Sequence, residues 1–398
     1  MRYLFYVIDI IFSGGIMYML YPFLPDNIWI ISEREDQAQD NGIAFFEYLN
    51  KEHNNDVNSF YLLSNDYSGI DEVKKIGNVL IKGSLKHKIY FLKSNVIAFT
   101  EKNIIEPWGS RIFYKTFAKI FPNKLRVFLQ HGILDKDVSS VYGKYVSNID
   151  IFVTSTTVES KFVEEKFGYD KNEIANIGIS RYDKLIDYKK NNDKGKIILY
   201  IPTWRRNLFD LANKNDNYII KAQENFLKSE YYEKIQELIN DKRLGDILKQ
   251  NNYKFIFVTH HGINELNTLF TSTFNEVEIY KSEEVNIAQL LAKTNVFLTD
   301  YSSIHFDSAY IRNKNIYYQF DKDMFFNIHA GKSYFNYEKD GFGPVVQDLD
   351  TLILEIDRAV NNTNKSEYDE RADKFFEFKD KKNCSRLYNF IKNTLDRG

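Results

Sequence analysis

Val296-Phe297-Leu298-Thr299-Asp300-Tyr301-Ser302-Ser303, running on to Phe306-Asp307, reads as a buried parallel strand that stops on a carboxylate, an aromatic ring and two hydroxyls. A helix is expected to start at that point, capped by Asp300, Ser302 or Ser303. The free N–H groups of a first helical turn and the positive end of its dipole attract anions. In open α/β sheets, ligands bind at the carboxyl ends of the strands. The segment therefore reads either as a site for a phosphorylated ligand or as a plain helix cap.

Outward from this strand, the chain alternates apolar runs with helical patterns. Strands are predicted at Ile28–Ile31, Phe60–Leu63, Val79–Ile81, Val96–Phe99, Val127–Gln130 and Ile151–Thr154. A second set covers Lys196–Ile201, Phe255–Thr259, Val277–Tyr280, Val296–Thr299 and Asn315–Tyr318. Helices are predicted over Gly42–Lys51 and Thr157–Phe167, and a charged helical tail over Lys365–Leu395. Such alternation makes mostly parallel sheets with helices on both faces. The Lys-, Asn- and Asp-rich stretch Tyr188–Lys194 reads as a linker. The expectation is an α/β protein of two doubly wound, Rossmann-type domains facing across a cleft. Their predicted extents are residues 27–190 and 195–398, behind an apolar segment at 1–26.

Composition narrows the function classes. A length of 398 residues suits two domains. The 53 basic residues are offset by 55 acidic ones, so no global field draws the chain to nucleic acid. One cysteine, Cys384, excludes an internal disulfide and a multi-cysteine zinc site. Residues Tyr3–Leu24 are almost wholly apolar and long enough to span a bilayer. Asp9 opposes a clean span, at roughly 2.5–3.5 kcal/mol for a carboxylate at the bilayer centre. The Gly14-Gly15 pair and Pro22 and Pro25 also oppose it. A segment that docks on the inner leaflet, or packs on the domain as an apolar helix, fits better.

Four more clusters fall where strands should end. Leu129-Gln130-His131-Gly132, with Lys136 beyond, offers a general base and a cation for phosphate, or a hydrogen-bonded structural histidine. Gly178-Ile179-Ser180-Arg181-Tyr182-Asp183 is either a ligand-facing loop or an Arg–Asp pair at a domain junction. In Ile201-Pro202-Thr203-Trp204-Arg205-Arg206, Arg205 suits bidentate contact with phosphate, or stacking on Trp204. Val258-Thr259-His260-His261-Gly262 lacks the i, i+4 spacing of a zinc helix, which leaves a metal site weakly supported.

In this order the clusters resemble the CDP-glycerol glycerophosphotransferase family, enzymes of teichoic acid and capsular polymer synthesis. The similarity rests on His131, Gly132 and Lys136, on Gly178, Arg181 and Asp183, and on Pro202-Thr203-Trp204-Arg205. It continues through His260, Thr299–Ser303 with Phe306-Asp307, Lys314–Tyr318 with Phe320-Asp321, and Gly341–Val346. Asp40-Asn41-Gly42, followed by Phe45-Phe46-Glu47-Tyr48, resembles the helix that opens many members. His261 departs from the family, which often has proline or tyrosine there.

The resemblance implies a GT-B-like fold and transfer of a polyol phosphate, glycerol phosphate first, from a CDP-activated donor to a hydroxyl of a lipid-linked or glycan acceptor, with release of CMP. His131 is then the expected base, with His260 as the second expected catalytic residue. His260, Arg205, Ser302 and Ser303 are expected around the donor phosphates, and Asp300 and Asp307 orient them or hold polyol or ribose hydroxyls. Thr203 and Trp204 complete the nucleotide side. Gly132, Lys136, Arg181 and Asp183 belong to the acceptor side or the cleft. No cofactor is expected to be built in, although Mg²⁺ is compatible with the chemistry. The place implied is the cytoplasmic face of a bacterial membrane, with peripheral or monotopic attachment. The rival reading on the same architecture is a glycosyltransferase, which would release a nucleoside diphosphate from a nucleotide sugar. A non-catalytic polymer-binding scaffold would have little reason to keep these motifs together.

Overall fold

A computed structural model describes residues 2–102, 105–109, 112–113, 116–117, 119–121, 124–191, 195–205, 208, 223–329, 333–362 and 367–397. The chain forms two compact units. The first comprises Met1–Ile133, Val138–Lys184 and Glu377–Gly398, and the second Leu134–Asp137 and Leu185–Phe376.

The first unit is built on a seven-stranded parallel sheet in the order β3-β2-β1-β4-β5-β6-β7. Its strands are β1 (Ile28–Ser32), β2 (Asn58–Leu63), β3 (Asn78–Ile81), β4 (Val96–Phe99), β5 (Leu125–Phe128), β6 (Ile151–Thr154) and β7 (Ile174–Asn176). Side chains alternate between the two faces of a strand. Trp29, Ile31, Tyr61 and Leu63 thus enter one core, and Ile28, Ile30, Phe60 and Leu62 the other. Burial on both faces explains why these strands read as continuous apolar runs.

The second unit carries β8 (Ile197–Tyr200), β9 (Lys254–Thr259), β10 (Val277–Lys281), β11 (Val296–Thr299), β12 (Lys314–Tyr318) and β13 (Val345–Val346). Their order is β10-β9-β8-β11-β12-β13, all parallel. Each sheet therefore reverses its winding direction once, between β1 and β4 in the first and between β8 and β11 in the second. Crevices for ligands open at such reversals.

Several expectations need correcting. Residues 1–26 are not a separate segment. The helix Arg2–Leu20 lays Ile10 and Met17 into the first unit's core, and Gly14 lies so close to the Phe121 ring that a Cβ would come within 2.8 Å of it. Asp9 accepts from Trp108 Nε1 at 2.9 Å and pairs with Lys88 at 2.7 Å, so its charge is met inside the protein. The supposed linker is partly helical, because the helix Arg181–Asn191 includes Tyr188–Asn191. Residues 192–194 lie outside the described residues.

The tail divides into helices Glu367–Phe375 and Asn383–Leu395. The second belongs with the first unit, where Cys384, Leu387, Tyr388 and Ile391 share a core with Trp29. The expected domain 195–398 therefore ends at Phe376. The Thr157–Phe167 helix is α-helical only to Phe162 and then widens to a π-type turn over Val163–Phe167.

Candidate active site

In the second unit the two strands flanking the reversal, β8 and β11, end side by side. The peptide N–H of Thr203, just past β8, donates to Asp300 Oδ1, just past β11, at 2.8 Å. Asp300 is wholly buried and pairs with Arg205 Nη2 at 2.9 Å. The same guanidinium grips Asp321 with a two-pronged contact, Nε to Oδ2 at 2.6 Å and Nη2 to Oδ1 at 2.9 Å. It also donates to the Thr203 carbonyl. Aromatic rings surround it, with Phe325 at 4.9 Å, Tyr231 at 5.1 Å and Tyr301 at 5.3 Å from the guanidinium carbon. Burial pushes the Arg205 pKa down, but Asp300 and Asp321 outweigh it and hold the group charged.

This overturns the expected phosphate contact for Arg205, which is 2% exposed with its hydrogen bonds spent on two carboxylates and a carbonyl. Arg205 braces the strand ends. Asp321 is the partner that the sequence reading left without a role, because nothing local links residues 116 positions apart. Arg206 lies outside the described residues.

The braced turn presents Thr203 and Trp204. The Thr203 hydroxyl is buried with no partner among the described residues. Trp204 stacks on His260 with ring centroids 5.8 Å apart and planes 21° from parallel. His260 follows β9, and its Nδ1 accepts from Gly262 N–H at 3.0 Å. With Nδ1 accepting, the neutral imidazole carries its proton on Nε2. Gly262 suits this packing, since a Cβ there would come within 3.2 Å of both His260 Nδ1 and the Trp204 ring and would push them apart slightly.

After β11 the expected helix is only the seven residues Ile304–Tyr310. Ser303 sits at its N-cap position without a side-chain capping bond, and Ser302 Oγ accepts weakly from Ile304 N–H at 3.5 Å. Asp300 does not cap it, being engaged with Thr203 and Arg205 instead. Both serines are half-buried, whereas Asp307 is buried at 6% exposure. Next to them His305, unremarked in the sequence, bonds Tyr317 through Nδ1 at 2.9 Å. Burial, and then the Lys136 charge, depress its pKa well below the usual histidine value and keep it neutral.

Lys136 belongs to this second unit. Its Nζ donates to the Tyr301 carbonyl at 3.0 Å and lies 5.5 Å from the Phe325 ring centroid.

In the first unit His131 stands exposed just past β5, ahead of buried Gly132. Gln130 before it adopts a left-handed conformation, φ +59°. Arg181 Nη1 donates to the His131 carbonyl at 3.0 Å and to Asp40 Oδ1 at 2.6 Å. Asn41 donates through Nδ2 to the carbonyls of Leu129, at 3.3 Å, and Gln130, at 2.8 Å. Glu33 accepts from the N–H groups of Gln39, Asp40 and Ile43 at 2.8–3.0 Å and so caps the Asn41–Glu52 helix. Burial, then the neighbouring Asp40 charge, raise the Glu33 pKa to about 7.

Asp183, expected at the acceptor side, does something else. Its carboxylate accepts from Asn383 N, Asn383 Nδ2 and Cys384 N at 2.8–3.0 Å, and caps the C-terminal helix. Gly178 has φ +84°, and a Cβ there would strike Asn383. Asp40 and Asn41 gave a partial signal as an Asp-Asn-Gly helix start, whereas Glu33 gave none, and the link of Asn41 to the His131 turn is long-range. Among the described residues no group of three or more His, Cys, Asp or Glu is placed to hold a metal ion.

Comparison with known proteins identifies the family and the fold. Residues 16–393 match the family described as CDP-Glycerol:Poly(glycerophosphate) glycerophosphotransferase. Over 371 residues the chain is 33% identical to the minor teichoic acid biosynthesis protein GgaB of Bacillus subtilis (strain 168), covering 92% of this chain and 39% of that protein. It is 26% identical over 232 residues to the teichoic acid poly(glycerol phosphate) polymerase of Bacillus spizizenii, covering 57% of this chain and 51% of that one. The chain thus spans between two fifths and half of the length of these relatives. The solved wall teichoic acid polymerase TagF superposes with a TM-score of 0.65 at 15% identity, covering 98% of both chains. A UDP-N-acetylglucosamine 2-epimerase superposes with 0.56 at 10% identity, covering 93% of this chain and 95% of that one. These likenesses place the fold in the GT-B class of paired Rossmann-type units. The strand-end motifs, the paired sheets and the match over residues 16–393 together make this chain a member of the CDP-glycerol:poly(glycerophosphate) glycerophosphotransferase family.

Proposed function

We propose that the chain transfers glycerol phosphate, or a related polyol phosphate, from a CDP-activated donor to a hydroxyl of a lipid-linked or glycan acceptor in teichoic acid or capsular polymer synthesis. The acceptor oxygen forms a new bond to the phosphorus that carries the polyol. The bond from that same phosphorus to the bridging anhydride oxygen breaks, and CMP leaves with this oxygen and the electron pair. An alcohol is a weak nucleophile until a base takes its proton, and exposed His131 is assigned that role.

The observation that carries the donor side is His260. Its Nδ1 accepts from the Gly262 N–H and its ring is stacked on Trp204, which leaves Nε2 to carry the proton of the neutral ring. Such a fixed donor stabilises charge that develops on phosphoryl oxygens or on departing CMP. The Thr203, Ser302 and Ser303 hydroxyls are assigned to the donor phosphates. Arg205, Asp300 and Asp321 are assigned to holding those groups in place. The reading needs no resident cofactor, and Mg²⁺ is given no step. TagF has been soaked with CDPG, which fits a CDP-activated donor for this family.

The test is to incubate the protein with CDP-glycerol, CDP-ribitol and UDP-sugars, with and without a lipid-linked acceptor, and to identify the nucleotide released. Acceptor-dependent CMP is expected, and the donor that yields it names the polyol. UDP from a sugar donor without CMP would replace this reading with a glycosyltransferase. His131→Ala should lower turnover about 100-fold or more with donor binding intact.

We also propose peripheral attachment to the cytoplasmic face of the membrane through the Arg2–Leu20 helix. By length and composition it is apolar enough to cross a bilayer. Its inner face is committed to the core, while Phe5, Ile8, Ile11, Phe12 and Met19 are exposed. Deleting the helix would uncover that core, so the sharper test is Ile8→Glu with Phe12→Glu in a vesicle flotation assay. The double variant should stay with the soluble fraction, and continued flotation would move the anchor elsewhere.

A further inference from the structure

The turn that presents His131 is held by side chains rather than by the sheet. Where β5 ends, three consecutive carbonyls, those of Leu129, Gln130 and His131, accept from side-chain donors: the first two from Asn41 Nδ2 and the third from Arg181 Nη1. The two donors are joined to each other, because Asn41 Oδ1 accepts from the Arg181 backbone N–H at 3.0 Å. Asp40, next to Asn41, pairs with the Arg181 guanidinium at 2.6 Å. Asn41 is fully buried, with its amide used at both ends.

The grip falls on strained backbone. Gln130 holds φ +59° without being a glycine, and a left-handed residue with a Cβ costs roughly 1–2 kcal/mol. Its side chain is anchored as well, donating to the Val153 carbonyl and to Glu159 Oε1 at 3.0 Å. Strain of this kind persists where the surroundings over-determine it, commonly at functional sites. The direction in which the His131 side chain leaves the backbone follows from this turn.

We propose that Asn41, with Arg181, is a positioning pair that sets the approach of the His131 imidazole to the acceptor hydroxyl. The inference rests on the assignment of His131 as the base. It also explains why an asparagine stands at residue 41. Aspartate has the same shape and would still accept from the Arg181 N–H, but it would turn an oxygen toward two carbonyl oxygens. Serine, shorter and with a single donor, could not serve both carbonyls.

The experiment is a double-mutant cycle on the full-length protein, read as acceptor-dependent CMP release together with urea denaturation. Asn41→Asp, Asn41→Ser and Arg181→Gln should each lower kcat by about 10- to 100-fold, the scale of a small misplacement of a reacting group. The KM for the CDP-activated donor should stay within about twofold. In a His131→Ala background the same changes should lower kcat no further, because non-additivity marks residues that act as a unit. A purely structural role would lower the urea midpoint and leave kcat of the folded enzyme intact, which would overturn the proposal. So would losses that multiply in the His131→Ala background. If His131→Ala alone leaves turnover unchanged, the base assignment itself fails and the positioning role falls with it. If His131→Ala is slow while the Asn41 and Arg181 variants keep full kcat, only the positioning role fails. Should both Asn41 variants prove unfolded, Arg181→Gln decides through the same cycle, since Arg181 lies nearer the surface.

Discussion

The two units wind their sheets in the same order around their single reversal, yet they build their strand ends by opposite means. At the end of β5 the His131 imidazole is exposed, and its backbone is clamped by a buried neutral amide and a partly exposed guanidinium. At the ends of β8 and β11 the strongest charges are buried, and one guanidinium is shared by two carboxylates. The contrast separates two jobs that a list of polar residues would merge. A group that must collect a proton needs access, while a group that must hold two strand ends together needs to be dry, where hydrogen bonds between ions are strong and an unpaired ion is costly.

The largest effect should come from breaking the buried cluster. Arg205→Ala strands two carboxylates, and the second unit should lose about 3–5 kcal/mol in urea denaturation. A loss below about 1 kcal/mol would mean that the brace is not structural. Arg205→Lys keeps the charge but lacks the planar fork and should recover only part of the loss.

Next is the pH response of the first unit. Glu33 has its folded pKa raised to about 7 from an ordinary 4.5. The stability it contributes is fully present below pH 4.5 and is lost as pH rises through about 7. The shift corresponds to roughly 3 kcal/mol, and Glu33→Gln should flatten this dependence in thermal melts from pH 4.5 to 8. An unchanged slope would place the titrating group elsewhere.

Asp183→Ala removes the cap of the C-terminal helix and should cost about 1–2 kcal/mol, with kcat preserved. A lost kcat with full stability would return Asp183 to the acceptor site. The smallest change in stability, below about 1 kcal/mol, is expected for Gly262→Ala. Its methyl group meets Trp204 and His260 at 3.2 Å, so donor KM and kcat should suffer instead.

Most of the strands were legible because burial on both faces leaves long apolar runs, as at Ile28–Ile31 and Phe255–Thr259. β7 and β13 were not, since runs of three and two residues are too short to show a period. Tyr188–Asn191 reads as a linker on composition, although it is the end of a mostly half-buried helix in which only Lys190 and Asn191 are exposed and Lys189 donates to the Ala292 carbonyl and Asn313 Oδ1. The motif positions were legible at the strand ends, but several roles were not. Sequence gives residue type without burial, so Arg205 looked like a phosphate ligand and Asp183 like a cleft residue. Asp321 and Asn383 complete those contacts from 116 and 200 residues away.

The packing of the C-terminal helix has a practical consequence. Cys384, the chain's one thiol, is sealed beneath that helix with its Sγ toward the carbonyls of Ala44 and Ser180. Burial, and then the Asp183 charge, push its pKa well above the ordinary thiol value. A maleimide or disulfide reagent should therefore modify the native protein only as fast as the helix lifts away. The rate of labelling becomes a built-in clock for local opening at the C-terminus, and a cysteine introduced elsewhere on the surface can carry a probe without first removing the natural one.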